Sequence, residues 1–344
     1  MKKLYFLLTG LLLTGMVNAQ TDVVDDIMNA DKPKHDYVAY TFKGTHVICG
    51  QSVEMTKKNA LEFRVVHRFG NIADVNAGHT LAGFYAISDV MFTFDYGITE
   101  DFSVGTSFSK GAGPVQELYN INGKYRLLKQ TKDFKIPMTI TLFGNAAISG
   151  MKIDPFTGNL MKSESAAHRF SYVLQSLFAI KATDWLSVQL APSFVWRNYV
   201  GNADIPGNPG KDKNGMFFMG LQARAKLTKR QAIVFEYFLP ITMNNATYRE
   251  YFPMLRGNMN ANYYPCLNLG YEVETGGHVF TINLTNTQGL MENDFLPYTS
   301  ANWAKGQFRL GFTISRIFQF GNKNVSPWTG KEPKKKKEKK EEAK

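Results

Sequence analysis

The sequence has little cysteine, little histidine and no long apolar run beyond its first segment. Each shortage narrows what the chain can be. Two cysteines among 344 residues, Cys49 and Cys266, allow at most one bridge and no disulfide framework. The six histidines, at positions 35, 46, 67, 79, 168 and 278, show no ligand spacing, so no metal site is expected. The glycine-rich stretch Gly207–Gly215 (GNPGKDKNG) lacks the GxxxxGK[ST] order that cradles phosphate ahead of a helix, and reads as a loop. No nucleophile, base and orienting group can be assembled, so no catalytic residue and no cofactor are assigned. After residue 19 no run of about 18 apolar residues occurs, and no transmembrane helix is expected.

Charge excess is also missing where it would matter. Of the formal +11, the first nineteen residues carry +2 and the last twenty-four carry +5, which leaves +4 for the body of the chain. No nucleic-acid partner follows from that. The run KKKKEKK at Lys334–Lys340 has no apolar face, so residues 321–344 read as a disordered lysine-rich tail. At the other end, Lys2 and Lys3 precede an apolar run from Leu4 to Val17 and the small residue Ala19. That is the anatomy of a secretory signal peptide over residues 1–19, with cleavage expected after Ala19.

What is there, beyond about Asn59, is a rhythm of about twelve alternating segments bounded by turn residues. Phe217, Met219, Leu221, Ala223, Ala225 and Leu227 line one phase of such a segment, and Gly220, Gln222, Arg224 and Lys226 the other. Phe308, Leu310, Phe312 and Ile314 likewise alternate with Arg309, Gly311, Thr313 and Ser315. Long connections (Asn71–Ala86, Met151–His168, Val200–Met216, Pro240–Asn262, Gln288–Lys305) alternate with short ones (Ile98–Asp101, Lys181–Asp184, Thr228–Arg230, Glu274–Gly277). On the apolar phase aromatics gather at segment ends, as two girdles would. These patterns predict an all-β fold: a transmembrane antiparallel up-and-down β-barrel over residues 59–320, with short periplasmic turns and long extracellular loops. The expected location is the outer membrane of a Gram-negative bacterium. His67 and Arg316 fall on the lipid-facing phase, and Pro192 predicts a bulge or edge-like kink.

Thr45–Glu54 (THVICGQSVE), Leu61–Gly70 (LEFRVVHRFG), Phe94–Thr99 (FDYGIT) and Lys124–Gln130 (KYRLLKQ) carry a likeness. In them the chain resembles a family of uncharacterised outer-membrane β-barrel proteins filed as a domain of unknown function. The resemblance spans about Thr45 to Phe320. It implies an outer-membrane barrel and brings no functional residues to transfer.

In this register the lumen-facing charges are Glu62, Arg64, Arg68, Asp95, Lys124, Arg126, Arg169, Arg197, Arg224, Lys226, Glu236, Glu272 and Arg309. Nine bases against four acids would bias a water-filled lumen towards anions; a closed interior of salt-bridged networks is the other reading. Residues 20–58 precede the barrel and read as a lumen plug or as a segment at the periplasmic mouth. A Cys49–Cys266 disulfide would staple it to the wall, although two free buried thiols are the more ordinary state. The function expected first is passage of small solutes, leaning to anions. A plugged structural or interaction barrel, meeting an envelope protein through its loops or tail, is the alternative. A lipid-active enzyme using His67 comes third, since its candidate hydroxyl partners, Thr106 and Ser176, are not on adjacent strands.

Overall fold

An alternating chain of this kind can satisfy all its backbone groups inside a bilayer only by closing on itself, because an open sheet would leave an unpaired edge in hydrocarbon. The computed structural model shows that closure. It describes residues 36–73, 78–86, 89–111, 115–152, 154, 165–200, 214–241 and 263–320. The expected signal peptide and lysine-rich tail, and the loop residues 242–262, lie outside these. Asp36 and Tyr37 belong to a separate N-terminal unit, and the described residues from Val38 onward form the other.

Twelve antiparallel strands run β1 (Ala60–Asn71), β2 (Asp89–Gly97), β3 (Phe102–Lys110), β4 (Glu117–Leu128), β5 (Thr139–Ser149) and β6 (Phe170–Lys181). They continue as β7 (Leu186–Arg197), β8 (Gly215–Lys226), β9 (Gln231–Pro240), β10 (Cys266–Thr275), β11 (His278–Thr285) and β12 (Arg309–Gln319). Each pairs with its sequence neighbours, and β1 closes on β12 from Ala60↔Gln319 to Asn71↔Arg309. One end of the barrel, the turn end, carries the connections at 98–101, 129–138, 182–185, 227–230 and 276–277, with the start of β1 and the end of β12. The opposite, loop end carries the remaining connections. One short helix, α1 (Glu292–Tyr298), lies between β11 and β12.

Burial alternates along every strand, and the buried phase is the polar one. In β1, Glu62, Arg64 and Arg68 are buried while Leu61, Phe63, Val65 and Phe69 face out. Arg68 is 1% exposed and Glu236 0%, whereas Leu174 is 62% exposed and Ile282 58%. A water-soluble protein would show the reverse; lipid outside explains it. Tyr96, Tyr125, Phe178, Tyr271 and Phe318 are exposed towards the turn end, and Phe108, Tyr119, Trp196 and Phe217 towards the loop end. His67 and Arg316 keep their outward phase. The His67 ring stacks on Phe312 at 5.2 Å, and the Arg316 guanidinium sits 5.0 Å from the Phe318 ring.

Pro192 departs from expectation. The β6–β7 register is the same on both sides of it, Gln175↔Ser193 and Phe178↔Leu190, so there is no bulge. The ladder instead skips the two pairs between them, because proline has no N–H to offer β6.

The segment Val38–Asn59 enters the barrel and returns. Its way back lies against β2: Lys58 bridges Gly97 in parallel, and Asn59 N donates to Gly97 O at 2.8 Å. Only glycine fits here, since a Cβ at Gly97 would lie 2.0 Å from Lys57 O and 2.4 Å from Thr56 O. Gly97→Val is therefore expected to destabilise the barrel by about 1–3 kcal/mol, as overpacking does. A lower transition temperature for the heat-shifted gel band of the refolded protein would register it. An unchanged transition would mean that the returning segment does not rest on β2.

Candidate functional site: a hairpin and a helix inside the barrel

The inserted segment is a hairpin with its ends at the turn end. Val38 N donates to Gln130 O at 2.9 Å in the β4–β5 connection, and Lys43 pairs with Glu274 at 2.6 Å near the end of β10. His46 bridges Gln51, Val47 N reaches Gly50 O at 3.0 Å, and Ser52 N reaches Thr45 O at 2.9 Å. The tip is Ile48-Cys49-Gly50. Two strands alone leave many backbone groups unpaired, and the wall side chains supply the partners.

Glu236 on β9 does most at the tip. Its carboxylate accepts Ile48 N at 2.8 Å, Cys49 N at 2.9 Å and Gly50 N at 3.0 Å. It also accepts Gln222 Nε2 at 3.0 Å and Asn268 Nδ2 at 2.9 Å. Gly50 must be glycine for this approach, because a Cβ there would meet Phe238 Cζ at 2.6 Å. Arg64 donates to Ile48 O. Lys124 donates to Thr45 O, Ser52 O and Glu54 O at 2.9, 3.1 and 3.4 Å. Gln189 takes Val53 N and gives to Gln51 O, both at 2.8 Å, and Glu62 accepts Thr45 N at 3.4 Å.

From the loop end, the β11–β12 connection folds down to meet this tip. The sequence reads Gln288–Lys305 as a loop; its first half is instead drawn inside, with every residue of α1 buried. Phe295 packs edge-on against Phe238 at 5.5 Å, and Asn293 Nδ2 donates to Ser171 Oγ at 3.0 Å. Arg68 joins the two inserted pieces: it donates to Thr287 Oγ1 at 2.6 Å and to Gly289 O, and its other nitrogen reaches Cys49 Sγ at 2.9 Å. A second link runs through Gln51, whose amide donates to Glu292 Oε1 at 3.0 Å and to His46 Nε2 at 2.8 Å.

These positions explain the proton affinities of the inserted groups. Burial, then the nearby Arg64 and Lys124 charges, hold His46 well below the usual imidazole range, so its Nε2 is free to accept from Gln51. Burial pushes the Glu292 carboxyl up to about 7, against backbone and Gln51 hydrogen bonds and the Lys124 and Arg64 charges, which pull it down. Burial also raises Glu54, which accepts Thr41 N and Phe42 N, and raises the Cys49 thiol.

Most sequence-derived lumen residues are inward. Glu62, Arg64, Arg68, Asp95, Lys124, Arg197, Glu236 and Glu272 are buried. Arg224 pairs with Glu272 at 2.7 Å, Arg126 with Asp101 at 2.6 Å towards the turn end, and Arg197 lies 5.1 Å from the Tyr298 ring. Arg169 bonds Ser149 O and Met151 O at the loop end, and Arg309 reaches Phe69 O. Lys226 is a correction: it is exposed at the turn end and not in the lumen. The fully buried charges are a different set from the lumen-facing ones, which also include the partly exposed Arg126, Arg169, Arg224 and Arg309. Among the described residues the buried charged side chains are the bases Arg64, Arg68, Lys124 and Arg197. The acids are Glu62, Asp89, Asp95, Asp154, Glu236, Glu272, Glu292 and Asp294. Asp89 begins β2, and α1 brings in Glu292 and Asp294. Cys49 and Cys266 are both buried and free; Cys266 Sγ donates to Phe295 O at 3.2 Å, so no disulfide joins hairpin and wall. His67 lies among Phe69 and Phe312, while Thr106 is on β3 and Ser176 on β6, neither beside β1.

Residues 42–318 match the profile of a family described as a membrane bound beta barrel domain (DUF5777). Among solved structures the chain is similar to the NanC porin, with 10% identity, a TM-score of 0.43, and coverage of 75% of this chain and 98% of that one. It is similar also to the KdgM porin (10%, 0.42, 75% and 99%) and to the COG4313 outer membrane channel from Pseudomonas putida F1 (11%, 0.42, 77% and 98%). These likenesses concern the barrel architecture alone. No curated protein matches the sequence.

Two outcomes follow for the hairpin. Glu236→Ala strips acceptors from three tip amides and two wall amides; with about 1–3 kcal/mol for each buried donor left unpaired, the tip should detach. Cys49, sealed in the native protein, should then react with a thiol reagent at least tenfold faster, and an unchanged rate would remove Glu236 from its place as the anchor. The pH effect has a definite sign. A carboxyl whose folded value is raised stabilises the closed form fully below its ordinary value and loses that contribution as pH rises through about 7. His46, held low, acts oppositely and weakens closure as pH falls below its ordinary value. Glu292→Gln should therefore reduce the loosening as pH rises through about 7, leaving the share due to Glu54 and Asp294, and keep the acid-side loss, read as the Cys49 labelling rate relative to that of a free thiol at the same pH.

Proposed function

This chain belongs to the family of membrane-bound β-barrel domains, and we propose that it sits in a Gram-negative outer membrane as a gated conduit for small solutes. It is closed at rest by its own hairpin and by α1. The observation that carries this reading is the way the hairpin is held. Wall side chains bind its backbone by polar contacts that water can replace, and both hairpin ends lie at the turn end. Its apolar side chains Phe42, Val47, Ile48 and Val53 pack into the interior core, and their burial is what favours the closed state.

In the orientation we propose, the turn end faces the periplasm and the loop end the exterior, following the usual placing of short turns and long loops. Withdrawal of the hairpin frees three wall cations, Arg64, Arg68 and Lys124, from carbonyl and thiol partners, and two wall carboxylates, Glu62 and Glu236, from amides. The anion leaning of the opened barrel rests on these freed cations, set against the wall carboxylates that stay in place. A plugged interaction barrel is the second reading, supported by the density of the same network.

Conductance in a planar bilayer separates them. The wild-type protein should be silent, while Glu236→Ala and a variant lacking residues 38–56 should conduct, with a salt-gradient reversal potential on the anion side. Steady wild-type channels would overturn closure at rest. Silence in both folded variants, and in a third in which residues 288–300 are also replaced by a short linker, would leave the plugged interaction barrel as the function.

A further inference from the structure

The outer face of the wall carries one charge that the barrel itself does not answer. Along the outward phase of the strands, the described residues with formal charge are Lys110, Glu117 and Arg316. Lys110 and Glu117 pair with each other at 3.6 Å, at the loop end. Arg316 lies on β12 towards the turn end, and no carboxylate among the described residues pairs with it. A cation on a lipid-facing strand position is costly, and least so near an interface where an anion can reach it.

Cross-strand pairing sets Arg316 in a row with Phe63 of β1 and His278 of β11, and His278 with Thr275 of β10. All four stand on the outward phase of their strands. His278 opens β11 directly after the turn 276–277, so on that side the row meets the barrel rim. The Arg316 guanidinium lies 5.0 Å from the Phe318 ring, and its Nη1 lies 3.4 Å from His278 Nε2. The His278 ring in turn lies 5.9 Å from that of Phe280. With Nε2 accepting from the arginine, a neutral imidazole carries its proton on Nδ1. Guanidinium, imidazole N–H and the Thr275 hydroxyl are thus donors in one row, flanked by aromatic rings at the edge of the lipid belt. The planar fork of a guanidinium matches two oxygens of a phosphate.

We propose that Arg316 and His278 bind the phosphate of an anionic phospholipid in the leaflet at the turn end, with an acyl chain lying over Phe280 and Ile314. The occupant follows from charge and continuity. The row belongs to the lipid-facing surface, and a phospholipid is what brings an anion to that depth. Phe280 and Ile314, paired across β11 and β12, form the next outward row towards the loop end. Selection comes from the missing carboxylate. No described residue on this face can take the ammonium of phosphatidylethanolamine, so phosphatidylglycerol, with the same phosphate and no ammonium, fits better. The site depends on the membrane barrel and not on any movement of the hairpin.

The test is native mass spectrometry of the full-length protein, released from micelles that hold phosphatidylglycerol and phosphatidylethanolamine in equal amounts with identical acyl chains. One phosphatidylglycerol should be retained with a preference of about fivefold, as one basic group at an anionic surface gives. Arg316→Gln should bring the ratio close to even, and His278→Leu should lower it. Lys226→Gln removes an exposed turn-end charge on the other strand phase, and should leave the ratio unchanged. A heat-shifted gel band checks that each variant still forms the barrel. Excess inorganic phosphate should fail to displace the lipid; displacement would make the row a site for soluble phosphate and overturn the lipid assignment. Even retention in the wild type, or a preference that survives Arg316→Gln, would overturn the site. An equal loss in Lys226→Gln would overturn it too, in favour of the general charge of the turn end. An unchanged ratio in His278→Leu would overturn the part given to the imidazole.

Discussion

A polar inner wall in a closed barrel must be satisfied by something, and in this protein the satisfying partner is peptide backbone. Glu62, Arg64, Lys124, Gln189 and Glu236 come from four different strands, yet all direct hydrogen bonds to the same stretch, Thr45–Glu54. The dependence is mutual. A lone hairpin of this length is marginal in water, and the buried wall charges would be costly without it. The hairpin takes its backbone partners from the wall, and without it the wall's polar groups must be met by water instead.

The second inserted piece changes the electrostatics more than the shape. α1 adds two carboxyls to a compartment that already holds several, and the added burial raises Asp294 and Glu292 above the ordinary carboxylate range. The chain Thr45–His46–Gln51–Glu292 then ties hairpin to helix through one amide and one neutral imidazole. A proton gained at His46 or lost at Glu292 strikes the same seam. The two inserts are therefore coupled and respond to acidity in opposing senses.

The wall was legible in the sequence because a strand's period of two fixes which side each residue takes. One correct strand places all its neighbours' lumen residues, and the inward phase of β1, β4 and β9 needs no tertiary information. The filling was less legible. Residues 20–58 read either as a lumen plug or as a segment at the periplasmic mouth, and nothing in residues 286–300 announces that this connection folds inward; polar composition suits an exposed loop as well as a lined cavity. Counting charges on strands alone consequently missed Glu292 and Asp294, which α1 brings into the interior. Neutral amide donors were passed over too, although Gln189, Gln222 and Asn268 sit on the polar phase and take part in the tip's network. Pro192 was noticed, but a missing donor leaves either a bulge or a gap, and sequence does not say which. Lys226 misled because inward phase at a strand's last residue means little once the strand has cleared the barrel rim.

The hairpin's two legs leave through one mouth, at Val38 and at Asn59. It is consequently a bight and not a thread: no chain end has to travel through the lumen for it to enter or leave. Sealing of β1 against β12 and seating of the hairpin are topologically independent, so the barrel can be completed first and stoppered afterwards. In the gated conduit we propose, drawing and reseating the stopper would therefore leave every strand of the wall in place.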